Sequence, residues 1–419
     1  MKTTISNPRP GIRPASCLAL LLAGGWSLSA TAQTQQTVQL LEDNAVTFYA
    51  NSTTTYDDNI FRLSDEVDPE DYVGDDQRSD LIQTGLLGVH IDKPYAQQRI
   101  VGDLSYARYW YQNHDFLDAS ATNYNLAWRW KFTPRIGGSI TGIRREAPSD
   151  FDYYQNYARR NVYTIQDYRL RLDANPFGGW HLLGGASTFS VANSSQTADT
   201  PKFNSTFGEA GLAYDTVAGT RFQFVGKFGT GEYGRSNTDQ FADARDFDEN
   251  GFEFFFSSQP ASLLTTKLTL GWVERTHPDA AQRDYDGMTA DGTIKWLLTE
   301  KFNLSLKGRR LINSFQDANF SYYTREELSL VPEWNPSDRV TVSASVGYVG
   351  SDFGGTPDTS SGVERDESTV AYSADITWTP ALFLQIKGSA GSRTRSSNYT
   401  LQDLDYTASN VSLSISLFY

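Results

Sequence analysis

The sequence predicts an all-β chain: a transmembrane, antiparallel, up-and-down β-barrel with short turns at one end and long loops at the other. Three observations predict it. Apolar and polar residues alternate with period two, tight and long links follow one another between the patterned segments, and the chain ends on an aromatic residue. Composition agrees. Aromatics make up 13% of the 419 residues while apolar residues reach only 39%, a balance foreign to helical bundles. No run approaches the roughly 18 consecutive apolar residues of a membrane-spanning helix. The 50 Asp plus Glu against 36 Lys plus Arg give a formal charge of −14, which argues against a nucleic-acid binder and its basic stripe.

Residues 1–32 read as a secretory signal peptide. Lys2, Arg9 and Arg13 lead, Cys17 to Ala23 with Trp26 and Leu28 supply a short apolar core, and Ala30-Thr31-Ala32 supplies the cleavage site. Cys17 is the sole cysteine and precedes the apolar core, so the sequence predicts neither a lipidated cysteine nor a disulfide in the mature chain. Residues 33–43 are expected to form a short periplasmic segment, and residues 44–419 the barrel.

Taken in order, the patterned segments fall into hairpins. The stretch at 44–57 is weakly patterned. Tyr124, Leu126, Trp128, Trp130 and Phe132 alternate with Asn123, Asn125, Arg129 and Lys131, and Tyr168, Leu170 and Leu172 alternate with Asp167, Arg169 and Arg171. The stretch at 180–190 is weak again. Phe222/Phe224/Phe228, Phe252/Phe254/Phe256, Leu268/Leu270/Trp272 and Phe302/Leu304/Leu306 follow, then Val340/Val342/Val346, Val370/Tyr372/Ile376/Trp378 and Leu382/Leu384/Ile386. Tight links are expected at Thr133–Arg135, Asn175–Gly179, Val217–Gly219, Gln259-Pro260, Thr299–Lys301, Asn335–Asp338 and Thr379–Ala381, and a somewhat looser one around Lys93-Pro94. Long polar links lie between them, as at Asp57–Asp80 and Ala147–Arg160. Nine hairpin pairs give about 18 strands, within two, with both ends of the barrel on the short-turn side. Trp128, Trp130, Trp180, Trp296, Trp334 and Trp378 sit beside tight turns, and Trp110 and Trp272 nearer long loops, as two interfacial girdles require. A propeller or sandwich would leave these aromatic rows without a core to enter.

The last segment alternates Val411, Leu413, Ile415, Leu417 and Tyr419 with Ser412, Ser414 and Ser416. It resembles the C-terminal signal by which the barrel-assembly machinery recognises its clients. Tyr419, Leu417 and Ile415 are its key positions.

On the polar face, Lys227, Lys267, Lys307 and Lys387 recur at spacings of 40, 40 and 80 residues. Each lies about six residues beyond a tight turn, roughly 20 Å along a strand. Glu209, Glu253, Asp291 and Asp375 precede the same turns. Paired residues in a hairpin have a constant index sum, so the spacing predicts a belt of pairs: Glu209 with Lys227, Glu253 with Lys267, Asp291 with Lys307, and Asp375 with Lys387. Such a belt serves either to fix register or as a polar track for a charged polymer. Arg129, Arg169, Arg171 and Arg309 have no evident partner and are the better candidates for touching an anionic ligand. The acids of Asp57–Asp80 fit no calcium loop and read as a solvated face. His90, His114, His181 and His277 are scattered, and no Gly-x-Ser-x-Gly, His-Glu-x-x-His or phosphate-cradling motif occurs. No catalytic residue, cofactor or metal site is expected.

Tyr56-Asp57-Asp58-Asn59-Ile60-Phe61-Arg62, soon after the leader, resembles the Tyr-x-Asp-Asn-aliphatic-Phe-Arg stretch of the EpsL outer-membrane barrels of exopolysaccharide operons, within the broader beta-barrel porin group. The resemblance implies a conduit, or an assistant to one, for exopolysaccharide at the outer membrane of a Gram-negative bacterium. The implied partners are outer-membrane lipid, the assembly machinery, the polysaccharide and other export proteins, with no nucleic acid. It transfers no catalytic residue. The residues alone leave open a general or solute-specific porin, or a structural envelope barrel without an open pore.

Overall fold

The chain folds as an 18-stranded antiparallel sheet closed on itself, described here from a computed structural model. The structure describes residues 45–152, 159–194, 202–234, 245–261, 263–315, 319–355 and 364–419. The expected leader at 1–32 and the segment at 33–43 lie outside the described residues.

The first strands are β1 (Val46–Asp57), β2 (Asp80–Tyr95), β3 (Gln98–Tyr111), β4 (Ala119–Thr133), β5 (Ile136–Pro148) and β6 (Val162–Phe177). Next come β7 (Trp180–Asn193), β8 (Phe203–Asp215), β9 (Arg221–Tyr233), β10 (Asp246–Ala261), β11 (Leu264–Thr276) and β12 (Tyr285–Thr299). The last are β13 (Phe302–Ser314), β14 (Tyr322–Ser337), β15 (Val340–Gly354), β16 (Asp366–Ala381), β17 (Leu384–Ser397) and β18 (Tyr406–Phe418). Each strand pairs with its sequence neighbours, and β1 closes the ring on β18 through Tyr49↔Phe418 to Asp57↔Asn410. The weakly patterned stretches become β1 and β7. They are held by partners rather than by their own pattern, because closure leaves no strand edge unpaired. One short helix, α1 (Pro69–Val73), lies in the first long loop. Asp68 caps its N-terminus and Gly74 ends it at φ 79.

Period two decides which residue meets what. On β18, Val411, Leu413, Ile415 and Leu417 point outward and are exposed, while Tyr406, Ala408 and Phe418 point inward and are buried. The exposed Phe, Trp, Tyr and Leu continue round the exterior, among them Trp128, Trp180, Trp296, Trp334 and Trp378 beside the short turns and Trp110 and Trp272 toward the loops. An outward apolar band with aromatics near both rims is the pattern of a transmembrane barrel wall. Trp130 faces outward yet is buried, since its ring lies over Gly138, where a Cβ would sit 2.4 Å from it, and 4.3 Å from the Phe132 ring.

Several turns lie two or three residues beyond their expected centres. The Lys93-Pro94 pair is inside β2, Gln259-Pro260 is inside β10, and Thr379-Pro380 is inside β16. The cause is local. Pro176, Pro260, Pro336 and Pro380 each fall within a break in register, at Ala174/Phe177, Ser258/Ala261, Trp334/Ser337 and Trp378/Ala381. A residue without an N–H is tolerated where the ladder is already interrupted. At these four positions proline marks the bulge before the turn, whereas Pro94 sits in an unbroken ladder and Pro134 in the turn itself.

Candidate functional site: the barrel lumen

The inward face is polar and charged along β1 to β18, but the expected belt of acid–lysine pairs is only partly there. Glu209 lies opposite Lys227 in register as expected. Yet Glu209 binds Arg171 at 3.3 Å, and Lys227 reaches across to Glu253 at 2.5 Å. Lys387 does bind Asp375, at 2.8 Å, although the true register sets Asp375 opposite Ser389. The other two pairs do not form. The turn after β10 falls late, so Lys267 faces Ser257 and Glu253 faces Gly271. Asp291 faces Arg309 and binds it at 2.7 Å, leaving Lys307 opposite Thr293.

The four arginines expected to be without partners are corrected too. Arg169 binds Asp167 at 3.1 Å, and Arg171 and Arg309 take Glu209 and Asp291. Arg129 faces inward on β4 and also has a partner. Register decides two of the failures, since it sets Arg309 opposite Asp291 and moves Lys267 away from Glu253. In the third, Glu209 meets Arg171 from β6 and Lys227 turns to Glu253 on β10.

Burial divides the lumen by height. Toward the long loops, inward side chains are packed: Phe189, Val191, Phe203, Tyr233, Phe247, Arg275, Tyr285, Tyr323, Phe353, Arg393, Arg395 and Tyr406 are all buried. Toward the short turns, Lys267, Lys295 and Lys307 are exposed on the same inward face. At the seam, Thr47, Tyr49 and Phe418 are buried low in the barrel.

The packed end is built from three clusters. The first joins the loop after β1 to the loop after β5. Asn59 organises the turn: its backbone N–H donates to Asp57, its amide donates to the carbonyls of Leu63 and Thr407, and Leu63 N–H donates back to it. Arg62, held at φ 59, donates to both oxygens of Asp57 at 2.8 Å. Phe61 is wholly buried with Ile60, Leu63, Leu117 and Phe151, its ring edge-on to His114 at 4.8 Å. Asp57, Asn59, Ile60, Phe61 and Arg62 of the motif are thus folding elements of an inward loop, while Tyr56 faces outward on β1.

From there a strap crosses the mouth. Arg62 approaches Asp150 at 3.4 Å, and Arg393 on β17 binds Asp150 at 2.8 Å and Asp152 at 3.0 Å. Arg395 donates to the Asp152 carbonyl, and the Tyr406 hydroxyl donates to its carboxylate. Burial would raise the Asp150 carboxyl, but Arg393 and Arg62 overcome it and hold the group at about 2. Arg62 is itself raised: burial and Arg393 oppose its charge, but Asp150 and Asp57 outweigh them. None of Arg62, Asp150, Asp152, Arg393 or Arg395 was picked out from the sequence as a site. The available signals were Asp and Arg recurring two apart, at 150/152 and 393/395.

The second cluster is centred on Arg275. Its guanidinium binds Glu249, donates to Tyr233 and Ser314 at 2.7 and 2.6 Å, and lies 4.0 Å over the Phe247 ring. Beside it, burial pushes the His277 imidazole down to about 4 against the opposing hydrogen bond that its Nδ1 makes to Asp284. The third gathers Phe315, Phe320, Tyr323 and Phe353, with Arg365 4.2 Å over Phe353 and paired to Glu367 at 2.6 Å.

Each histidine has an aspartate: His90 with Asp103, His114 with Asp80, His181 with Asp173, and His277 with Asp284. Nε2 of His114 and of His277 meets no hydrogen-bond partner among the described residues. Among the described residues no three His, Cys, Asp or Glu side chains gather as a metal site. The acidic first loop spends Asp57 on Arg62, Asp68 on the α1 cap, and Asp80 on His114 and three backbone N–H groups at 112–114.

The sequence profile described as "Putative beta-barrel porin 2" matches residues 202–418, just over half of the chain. The chain belongs to this porin family. No curated protein matches it. Among solved structures it is similar to Pseudomonas aeruginosa OccK1, at 10% identity over 89% of this chain and 99% of that one, with a TM-score of 0.47. Acinetobacter baumannii OccAB3 gives 9% identity, 89% and 99% coverage and a TM-score of 0.48. P. aeruginosa OccK2 in complex with glucuronate gives 14% identity, 90% and 98% coverage and a TM-score of 0.44.

Proposed function

We propose that the chain is a solute-selective outer-membrane porin, a channel and not an enzyme, whose strap restricts passage to small polar solutes. The strap carries the reading. Arg62, Asp150, Asp152, Arg393 and Arg395 tie two loops to the lumen-facing side of β17 and β18. Barrels of 16 to 18 strands enclose an aqueous channel unless a loop narrows it. A flexible polymer passing through would have to break several charge-assisted bonds at once, whereas a small solute needs only the space beside them. The exterior's apolar band and aromatic girdles support lipid as the surrounding partner, and the apolar/polar alternation along β18 supports a client relationship with the assembly machinery.

The second reading, an exopolysaccharide conduit partnered by secreted glycan and export proteins, is favoured by the Tyr56–Arg62 motif. Most of its residues are used to build the inward loop, so a conduit of this kind would have to move the strap aside. Purified protein in planar bilayers separates the readings. A porin gives steady conductance, passes small sugars and is indifferent to long glycans. A conduit is blocked by long glycans, and a structural barrel is silent.

A further inference from the structure

The lumen's inward cations are mostly committed: Arg171 to Glu209, Lys227 to Glu253, Arg309 to Asp291, Lys387 to Asp375. Lys267, Lys295 and Lys307 are not, having no ion pair among the described residues, and they are neighbours. Register sets Lys267 opposite Thr293 and Thr293 opposite Lys307, so the two lysines flank one threonine across three strands, roughly 10 Å apart. Lys295 lies two residues along the middle strand, between Thr265 and Ser305. Ser257 and Ser329 complete the Lys267–Lys307 row. The nearest carboxylate on the middle strand, Asp291, is held by Arg309 at 2.7 Å.

Three exposed ammonium groups within a Debye length of about 8–10 Å repel one another, and a register-fixing role would call for acids opposite them. Hydroxyls stand there instead. On the next row, toward the loops, Phe255 on β10 faces the lumen opposite Thr269, half-buried and stacked on no other ring among the described residues. Positive charge, a ring of hydroxyl donors and acceptors, and one free aromatic face fit a single ligand chemistry. We propose that the β11–β13 wall is a binding site for carboxylated sugars. Lys267, Lys295 and Lys307 take the carboxylates, the surrounding Ser and Thr take the sugar hydroxyls, and Phe255 stacks on a pyranose face. This deepens the porin reading by naming the solute class, and it rests on that reading only for the site's place on a transport path.

Calorimetry on the detergent-solubilised full-length mature protein tests the site without needing an open pore, so silent bilayers would sink the porin reading alone. Trigalacturonate is expected to bind and neutral maltotriose not to. Lys267→Gln/Lys295→Gln/Lys307→Gln should weaken trigalacturonate roughly tenfold or more, while Lys387→Gln leaves it unchanged. Single substitutions should each cost a few-fold, which keeps the test decisive if the triple variant does not fold. No binding to the unmodified protein, binding that survives the substitutions, or an equal loss with Lys387→Gln would each overturn the proposal.

Discussion

The loop half and the turn half of the lumen are made by the same strands and do opposite things with polar residues. Near the loops, Arg275, Arg365, Arg393 and Arg395 are buried, each beneath or beside aromatic rings and each bound to a carboxylate or a carbonyl. Near the turns, Lys267, Lys295 and Lys307 stand exposed among hydroxyls. The choice of cation follows from the setting. A guanidinium is weakly hydrated and donates in several fixed directions, so it tolerates burial where carboxylates, carbonyls and aromatic faces surround it. An ammonium is strongly hydrated and favours water. Arginine therefore packs the loop half, while Lys267, Lys295 and Lys307 stand in water toward the turns; Lys387, buried on Asp375, and Arg171 and Arg309, each on a carboxylate, show that a paired cation of either kind is accepted there.

The largest expected effect comes from removing the cation that anchors the strap. Arg393→Ala leaves Asp150 and Asp152 partly buried without their main counter-charge, at a local cost of about 3–5 kcal/mol. Single-channel conductance should rise as the strap releases; unchanged conductance would disconnect the strap from the pore. Adding Asp150→Asn and Asp152→Asn to an Arg393→Met background should recover part of the loss, because no buried charge is then left unpaired. Phe61→Ala removes the ring at the centre of the first cluster and should cost about 3 kcal/mol there. Limited proteolysis within 58–79 is the measurement, and resistance equal to the unmodified chain would contradict it.

Acid gives an intermediate effect with a defined sign. Asp150 is held at about 2 against an ordinary 3.8, so its contribution is full above about 4 and lost as pH falls toward 2. Channel opening should therefore increase across that window. His277, lowered to about 4 from 6.5, works in the same direction over a higher window. As pH falls from 6.5 to 4 the unfolded chain binds a proton that the folded one refuses, and stability declines. His277→Gln should flatten that decline in a melting series. The smallest effect belongs to the open half. Lys267→Gln, Lys295→Gln and Lys307→Gln should each shift stability by no more than about 0.5 kcal/mol, since each lysine is exposed and has no ion pair among the described residues.

Fold and site were unequally legible. The outward face was readable because period two on a lipid-facing wall admits few exceptions, and Val411 to Leu417 or Phe252 to Phe256 declare it outright. Turn positions were misread where proline marked a bulge: Pro260 and Pro380 pulled the expected centres early. That shift re-paired Lys267 with Ser257 and set Ser389 opposite Asp375. The Asp150–Arg393 contact joins residues 243 apart and depends on which strands face each other across a closed ring. Closure was predicted, but nothing local specifies the partner across it. The motif at Tyr56–Arg62 was noticed for what it resembles, while its physical role, turning the first loop inward, lies in the Asn59 side-chain bonds.

The contrast between a packed, strap-narrowed loop half and an open, wet turn half is tested most directly by thiol labelling. Cys17, the sole cysteine, lies in the expected leader, so a mature chain would carry only the cysteine introduced. Lys295→Cys, in the turn half, should react rapidly with a charged, water-soluble thiol reagent. Ala408→Cys, equally lumen-facing but 2% exposed near the loops, should resist it until Arg393→Ala is added. Equal labelling rates at the two positions in the unmodified barrel would contradict the account.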